Sequence, residues 1–133
     1  MKKDLRQLHK FGGSSLANAD CYRRVADILR AYSNYNDLVV VSAAGKTTNQ
    51  LLLWLEQLVT DGRLAHETLL SIRVFQQQLI NELLDPQDAE PLQQQLYAEL
   101  ALIAQWGQST MMTEVKNAVL GHGELWSARL LSA

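Results

Sequence analysis

Residues 38–41, Leu-Val-Val-Val, form an uninterrupted apolar run that limits the folds open to this chain more than any other part of the sequence. Such a run is typical of a strand buried on both faces, as in a parallel sheet, and it predicts a strand over residues 37–43. The shorter segment 5–11 predicts a first strand. Between them, apolar residues recur at helical spacing and predict a crossover helix from about Leu16 to Tyr32. Together these elements predict a βαβ unit with a right-handed crossover.

Helical periodicity continues after Thr48 and predicts three further helices, the first of which ends at residues 61–62, Asp-Gly. Residues 85–91 hold both prolines of the chain and predict the turn between the second and third of these helices. A last helical stretch, residues 112–131, is predicted to be interrupted at residues 121–123, Gly-His-Gly. The apolar positions that define the three helices are Leu51, Leu55, Leu58 and Val59; Ile72, Phe75, Leu79 and Leu83; and Leu92, Leu96, Leu100 and Ile103.

The predicted fold class is α/β, helix-rich and with few parallel strands. Two parallel strands do not form an independently stable sheet, because each needs further strands and covering helices to bury its apolar faces. The sequence therefore predicts that residues 1–133 are an incomplete α/β domain, without a second domain. The apolar stretch 125–131, which no capping glycine follows, supports this expectation. The apolar surface left by an unfinished sheet predicts a homo-oligomer.

Composition excludes several classes of protein. The chain is 47% hydrophobic and 20% charged, as in ordinary globular domains. The net charge is -2, and the sequence contains no cluster of basic residues, which argues against a nucleic-acid partner. A single cysteine, Cys21, excludes an internal disulfide framework. No apolar run is long enough for a signal peptide or a membrane span, so we expect a soluble cytoplasmic protein without a membrane partner.

The first candidate site follows the first predicted strand, in residues 9–15, His-Lys-Phe-Gly-Gly-Ser-Ser. A strand that delivers Lys10 and turns through Gly12 and Gly13 into a helix gathers an ammonium group, backbone N–H groups and a helix N-terminus, which suits a phosphate group. Glycines let the backbone approach the anion closely, and such turns often need a positive φ. An ordinary turn with a surface lysine is the alternative that the local sequence leaves open.

The second candidate site follows the second strand, in residues 41–48, Val-Ser-Ala-Ala-Gly-Lys-Thr-Thr. Ligands bind outside the carboxyl ends of parallel strands, so both sites should face one crevice. Small residues such as Ser42 let a ligand come close. Thr47 or Thr48 is predicted either to cap the next helix or to contact a ligand. The Gly-Lys-Thr tripeptide resembles the end of a P-loop, but Val40 stands where the P-loop has its first glycine, so we reject a P-loop.

The third candidate site is residues 121–128, Gly-His-Gly-Glu-Leu-Trp-Ser-Ala. A buried carboxylate normally has a cationic partner, and for Glu124 the ammonium group of a substrate would be one. The alternatives are an ion pair between Glu124 and Arg129 or another arginine, and an exposed Glu124. His122 has no plausible set of metal ligands nearby, so no metal site is predicted.

The three segments together resemble the aspartate kinases of the amino acid kinase superfamily. The matching residues are 10–15, then 40–43 with 48–49, then 121–128, in the family's order and spacing. The resemblance covers essentially the whole chain and is greatest to the kinase part of the bifunctional aspartokinase/homoserine dehydrogenases, in particular the methionine-linked type. It implies that the chain is the N-terminal part of a three-layer amino acid kinase domain.

The resemblance also implies roles for individual residues. Lys10 would be catalytic by offsetting charge on the γ-phosphoryl group. The implied nucleotide-binding residues are Lys10, Phe11, Gly12, Gly13, Ser14 and Ser42, and the implied substrate-binding residues are Ser42, Thr48 and Glu124. The reaction would convert MgATP and L-aspartate to ADP and 4-phospho-L-aspartate, the first step towards lysine, threonine and methionine. Because the substrate β-carboxylate is already ionised at neutral pH, no general base is required.

In aspartate kinases, a downstream half of the kinase domain holds adenine and ribose, and regulatory ACT domains follow it. NADP is used only by the dehydrogenase domain of bifunctional members. We therefore expect the chain alone to show no kinase turnover, no response to threonine or lysine and no NADP binding. Two alternatives stay open. One is another small-molecule kinase of the same superfamily. The other is a non-catalytic helical binding or regulatory module derived from a nucleotide-binding fold.

Overall fold

The computed structural model describes residues 7–33, 37–106 and 112–133. In this part of the chain two strands and five α-helices confirm the helix-rich α/β prediction. None of the helices described combines the length and hydropathy needed to cross a membrane. The elements are β1 (Leu8–Phe11), a short 3₁₀ helix (Gly13–Leu16), α1 (Ala19–Tyr32), β2 (Leu38–Val41), α2 (Thr47–Thr60), α3 (Gly62–Leu83), α4 (Pro86–Trp106) and α5 (Met112–Ser132).

The strands β1 and β2 pair in parallel, from Leu8 opposite Leu38 to Phe11 opposite Val41, and α1 connects them. This confirms the predicted βαβ unit. Residues 5 and 6, predicted to open the first strand, lie outside the described residues. At the amino ends of the strands, the Asp37 carboxylate accepts the Gln7 N–H at 3.0 Å and contacts His9 Nε2 at 2.9 Å. These bonds hold the two strands together at the end opposite the candidate sites.

The prediction that the second strand is buried on both faces is wrong for the described chain. Val41 is 8% exposed, whereas Leu38, Val39 and Val40 are 63%, 37% and 44% exposed. The physical reason is the width of the sheet. Its two strands leave an open edge and offer too little surface for helices to cover along their whole length. Only the carboxyl end of β2 reaches the hydrophobic core.

Helix α1 begins later than the apolar spacing predicts. The 3₁₀ helix takes residues 13–16, and Asn18 then caps α1 by accepting the Cys21 N–H at 3.0 Å. Asp20 in the first turn and Arg30 in the last turn complement the helix dipole. The capping asparagine therefore sets the helix start, a signal that apolar spacing alone does not carry.

The boundary between α2 and α3 lies at the predicted position. Asp61 separates the two helices, and its carboxylate accepts the N–H groups of Arg63 at 3.0 Å and Leu64 at 3.4 Å. An aspartate at this position satisfies N–H groups that have no partner within the helix. The Asp-Gly pair therefore ends one helix and starts the next without a loop.

The prediction of a turn over residues 85–91 is wrong for most of that segment. Helix α4 starts at Pro86, and Pro91 lies inside the helix. Pro86 fits the first helical position, where the missing N–H would have no partner in any case. Pro91 removes one hydrogen bond to the Gln87 carbonyl, and both residues are exposed, so water can solvate that carbonyl. The turn is thereby reduced to Leu84 and Asp85.

The predicted interruption of the last helix is also wrong, because α5 continues through residues 121–123. A Cβ atom built at Gly121 would meet nothing within 4 Å, so this glycine leaves open space. A Cβ atom at Gly123 would lie 3.0 Å from Ala43 Cβ and 3.3 Å from Thr47 Cγ2. Gly123 therefore marks a close approach between helices and not a break in one.

The hydrophobic core lies between the sheet end and the helices. Its largest fully buried apolar side chains come from the 3₁₀ helix, α2, α4 and α5, namely Leu16, Leu51, Trp54, Ile103 and Val119. Because α5 carries Val119, Trp126 and Leu130 into this core, its position relative to the strand ends is fixed by packing.

Candidate functional site

The two predicted sites lie side by side at the carboxyl ends of β1 and β2. We call the turn that follows β1, at residues 12–13, the first turn, and the turn that follows β2, at residues 42–46, the second turn. The Ser42 N–H donates to the Phe11 carbonyl at 3.0 Å, one residue beyond the paired strands. The Gly45 N–H donates to the Leu16 carbonyl at 2.9 Å, so the second turn also contacts the 3₁₀ helix. Lys10 is exposed in β1, and Ser42 is half-buried. The two turns are therefore neighbours at one end of the sheet, and a crevice shared by both stays a prediction.

The glycines of the two turns serve different purposes. Gly12 has φ -80°, and a Cβ atom there would meet nothing within 4 Å, so the space over it is open. A Cβ atom at Gly13 would lie 3.3 Å from the Gly45 carbonyl oxygen. Among the described residues, the only positive φ belongs to Gly45, at +51°. Gly13 and Gly45 are thus needed where the turns touch each other, whereas the space over Gly12 is open.

The start of α2 differs from the predicted capping. Lys46 is the residue before the helix, it makes no capping hydrogen bond with its side chain, and Thr47 and Thr48 both lie in the first turn. Neither threonine is therefore the N-cap. Thr48 is exposed, so its hydroxyl is accessible to a ligand. Thr47 is buried, and its Oγ1 accepts a hydrogen bond from Gln76 Nε2 at 2.8 Å.

Helix α5 brings the third segment to the second turn. The close approach of Gly123 to Ala43 and Thr47 places the backbone beside Glu124 against the loop that follows β2. Glu124 itself is exposed. Of the alternatives for Glu124, the pairing with Arg129 is wrong, because Arg129 Nη1 donates to the Glu99 carboxylate of α4. The expectation of a buried Glu124 carboxylate is thus wrong, and the alternative of an exposed Glu124 is the one observed.

His122 takes part in the packing of α5 on α4. Its Nδ1 contacts the Ala118 carbonyl at 2.7 Å, its Nε2 lies 3.6 Å from the Glu99 carboxylate, and its ring forms an edge-to-face pair with Trp106, the ring centroids 5.5 Å apart. Within the described residues, no group of three or more His, Cys, Asp or Glu side chains is placed to hold a metal ion. His122 thus serves the helix interface in this structure.

Ser127, part of the third sequence segment, lies inside the fold. Its hydroxyl and that of Tyr22 are 2.7 Å apart, and both side chains are buried. Burial raises the pKa of Tyr22 to about 12, an effect that the hydrogen bond with Ser127 partly opposes. This bond joins α1 to α5, so Ser127 supports the helix that carries Glu124.

Sequence reasoning missed Gln76. Gln76 is 3% exposed and hydrogen-bonded to Thr47. Its spacing of four residues from Ile72 is the signal that could have indicated burial, since that position falls on the apolar stripe of α3.

Comparison with known proteins identifies the family of these segments. The model of the amino acid kinase family matches residues 6–133. The chain is 48% identical over 128 residues to bifunctional aspartokinase/homoserine dehydrogenase 2 of Escherichia coli (strain K12), with 96% of this chain and 16% of that protein covered. It is 32% identical over 136 residues to the chloroplastic aspartokinase 1 of Arabidopsis thaliana, covering 99% of this chain and 24% of the relative.

Solved structures agree with this assignment. E. coli aspartokinase III in complex with lysine and aspartate superposes with a TM-score of 0.78 at 26% identity, over 95% of this chain and 28% of that one. The same enzyme in complex with aspartate and ADP gives a TM-score of 0.73 at 28% identity, over 96% and 28%. The predicted resemblance and the N-terminal part of the aspartokinase fold are thereby confirmed. The chain spans 16% to 28% of the length of these relatives.

Proposed function

The chain belongs to the amino acid kinase family, and from this membership we propose that it is the N-terminal part of an aspartate kinase domain. In this role it binds the phosphates of ATP and the amino acid substrate at the carboxyl ends of β1 and β2. The main support is the junction of three segments, in which the Ser42 N–H bonds to the Phe11 carbonyl at 3.0 Å and Gly123 packs against Ala43. A relative of the same fold is described in complex with aspartate and ADP.

The phosphate groups are assigned to the first turn. Lys10 supplies a positive charge at the end of β1, and the open space over Gly12 lets an anion approach the backbone. The remaining nucleotide contacts are assigned to Phe11, Gly13, Ser14 and Ser42. Mg²⁺ accompanies ATP as part of the substrate. Lys10 acts by offsetting the charge that builds on the γ-phosphoryl oxygens during transfer.

Aspartate is assigned to the second turn and α5. The exposed hydroxyl of Thr48 and the half-buried Ser42 offer hydrogen bonds to the substrate, and the Glu124 carboxylate pairs with its α-ammonium group. The substrate β-carboxylate then attacks the γ-phosphorus of ATP, the bond to the bridging oxygen breaks, and ADP leaves. Because that carboxylate is already ionised, catalysis consists of positioning and charge stabilisation. The reaction therefore does not require any of the candidate residues to act as a general base.

The adenine and ribose contacts are proposed to come from residues beyond this chain. The 133 residues by themselves are therefore expected to lack kinase turnover, an allosteric response to threonine or lysine, and NADP binding. The protein is proposed to act in the cytoplasm as a homo-oligomer. The exposed apolar residues of β2 provide a surface that further chain or a second copy can cover.

The test is aspartate-dependent phosphorylation in the full-length protein that carries this segment, with the acyl phosphate trapped as its hydroxamate. Lys10→Ala should lower kcat by about 100-fold or more, the size expected when one charge stabiliser of the transition state is removed. Lys116→Ala, an exposed lysine of α5, is the matched control and should leave kcat unchanged. A folded full-length protein without hydroxamate formation would overturn the aspartate kinase assignment and favour a binding module. Activity that survives in Lys10→Ala would remove the proposed role of that residue.

A further inference from the structure

A buried polar pair links α3 to the first turn of α2. Gln76 and Thr47 are 3% and 2% exposed, and Gln76 Nε2 donates to Thr47 Oγ1 at 2.8 Å. A buried amide costs stability unless it is hydrogen-bonded, and an apolar residue such as methionine would fill the same position without that cost. Hydrophobic stabilisation therefore does not explain why a glutamine occupies this position.

Thr47 is the residue at which three helices meet. Its Oγ1 faces α3 through Gln76, its Cγ2 lies 3.3 Å from the position that a Cβ atom of Gly123 in α5 would take, and its backbone begins α2. The residues next to Thr47 and Gly123 in sequence are Thr48 and Glu124. These are two of the three residues to which the amino acid substrate is assigned, the third being Ser42.

The hydrogen bond also selects the conformation of the Thr47 side chain. In a helix, threonine divides between two χ1 rotamers, which exchange the positions available to its hydroxyl and methyl groups. The bond from Gln76 holds Oγ1 towards α3 and leaves the methyl group against α5. The residue before α2 makes no capping hydrogen bond with its side chain. The bond from Gln76 therefore provides a side-chain constraint on the start of α2.

We propose that Gln76 is a positioning residue, which acts through Thr47 to set the spacing between Thr48 and Glu124 and hence the affinity for the amino acid substrate. This inference rests on the proposed function of the site. Gln76 is not assigned any contact with substrate. Its effect should fall on Thr48 and Glu124, because the phosphate contacts of Lys10 and Gly12 belong to the first turn and Ser42 stands at the end of β2, not at the start of α2.

The experiment measures steady-state kinetics of the full-length protein with Gln76→Met, Thr47→Val and the double variant. Methionine keeps the length of glutamine and removes its donor, and valine keeps the shape of threonine and removes its hydroxyl. Each single variant should raise the KM for aspartate about tenfold, the scale of one hydrogen bond in free energy. The KM for ATP should change less than about twofold on the same scale. Gln93→Met is the matched control, because Gln93 Nε2 also bonds across helices, to Asn81, and should leave both KM values unchanged.

The double variant separates positioning from stability. Replacing both partners with apolar groups removes the unpaired buried polar atoms, so the melting temperature should recover towards that of the wild type. Positioning predicts that the KM for aspartate stays raised although stability recovers. Recovery of both quantities, or an unchanged KM for aspartate in Gln76→Met, would overturn the positioning role and leave the proposed function intact. Absence of aspartate turnover in the wild-type protein would overturn the proposed function and this inference together.

Discussion

At the scale of single residues, Gly123 and Gly121 separate two reasons for a glycine in a helix. Both lie within α5, yet a Cβ atom at Gly123 would stand 3.0 Å from Ala43 Cβ, whereas one at Gly121 would meet nothing within 4 Å. The first glycine permits the contact between α5 and the second turn. The second has no packing reason in the described structure.

This difference predicts opposite effects of the same substitution. Gly123→Ala should lower the free energy of unfolding by about 1–3 kcal/mol, because it overpacks a close helix contact. Gly121→Ala should raise it by about 0.5–1 kcal/mol, because alanine loses less backbone entropy in a helix. Urea unfolding of the chain, followed by circular dichroism, measures both. Equal effects of the two substitutions would contradict the close approach of α5 to Ala43.

The residues that sequence could and could not predict differ in physical kind. Lys10, Gly12 and Ser42 were placed correctly at the strand ends, because chain order fixes which residues follow a strand. Gln76 and the Tyr22–Ser127 pair were not foreseen, since a polar residue gives no apolar signal and its partner lies far along the chain. A buried polar contact of this kind depends on tertiary packing, which local periodicity does not contain.

At the scale of elements, the helices were predicted well and their ends less well. Apolar spacing identified α2, α3 and α4, and the Asp61 cap marked the boundary between the first two. The errors occurred at proline and glycine. Pro91 was interpreted as part of a turn and residues 121–123 as a break, whereas both lie within helices. Packing of the surrounding apolar residues outweighs the local preference of a single proline or glycine.

The two prolines of α4 predict a measurable contrast. Pro91→Ala should raise the free energy of unfolding by about 1–3 kcal/mol, because it restores an N–H donor to the helix interior and removes the clash of the ring. Pro86→Ala, at the first helical position, should change it by less than about 0.5 kcal/mol, because that N–H has no helical acceptor. Thermal and urea unfolding of both variants provide the measurement. A loss of stability in Pro91→Ala would show that α4 does not continue through residue 91.

At the scale of the whole molecule, the sheet explains both what was predicted and what was not. The βαβ unit followed from the order of apolar patterns, and it is present. The burial expected for the Leu-Val-Val run is not, because two strands leave β2 largely exposed over residues 38–40. That pattern is suited to a wider sheet, which is consistent with a chain that spans 16% of its E. coli relative. The strand ends and α5 nevertheless pack together within the described residues.

At one end of this small sheet, we assign the ATP phosphates chiefly to the first turn and aspartate to the second turn and α5. Glu124→Gln tests this assignment most directly, because the substitution keeps the side-chain shape and removes only the charge assigned to the substrate ammonium group. In the full-length protein, we expect the hydroxamate assay to show a KM for aspartate raised about tenfold or more, as for the loss of a charge-assisted hydrogen bond. The KM for ATP should be unchanged, and Glu56→Gln, an exposed acid of α2, should behave as wild type. An unchanged KM for aspartate in Glu124→Gln would contradict the assignment of the amino acid substrate to this site.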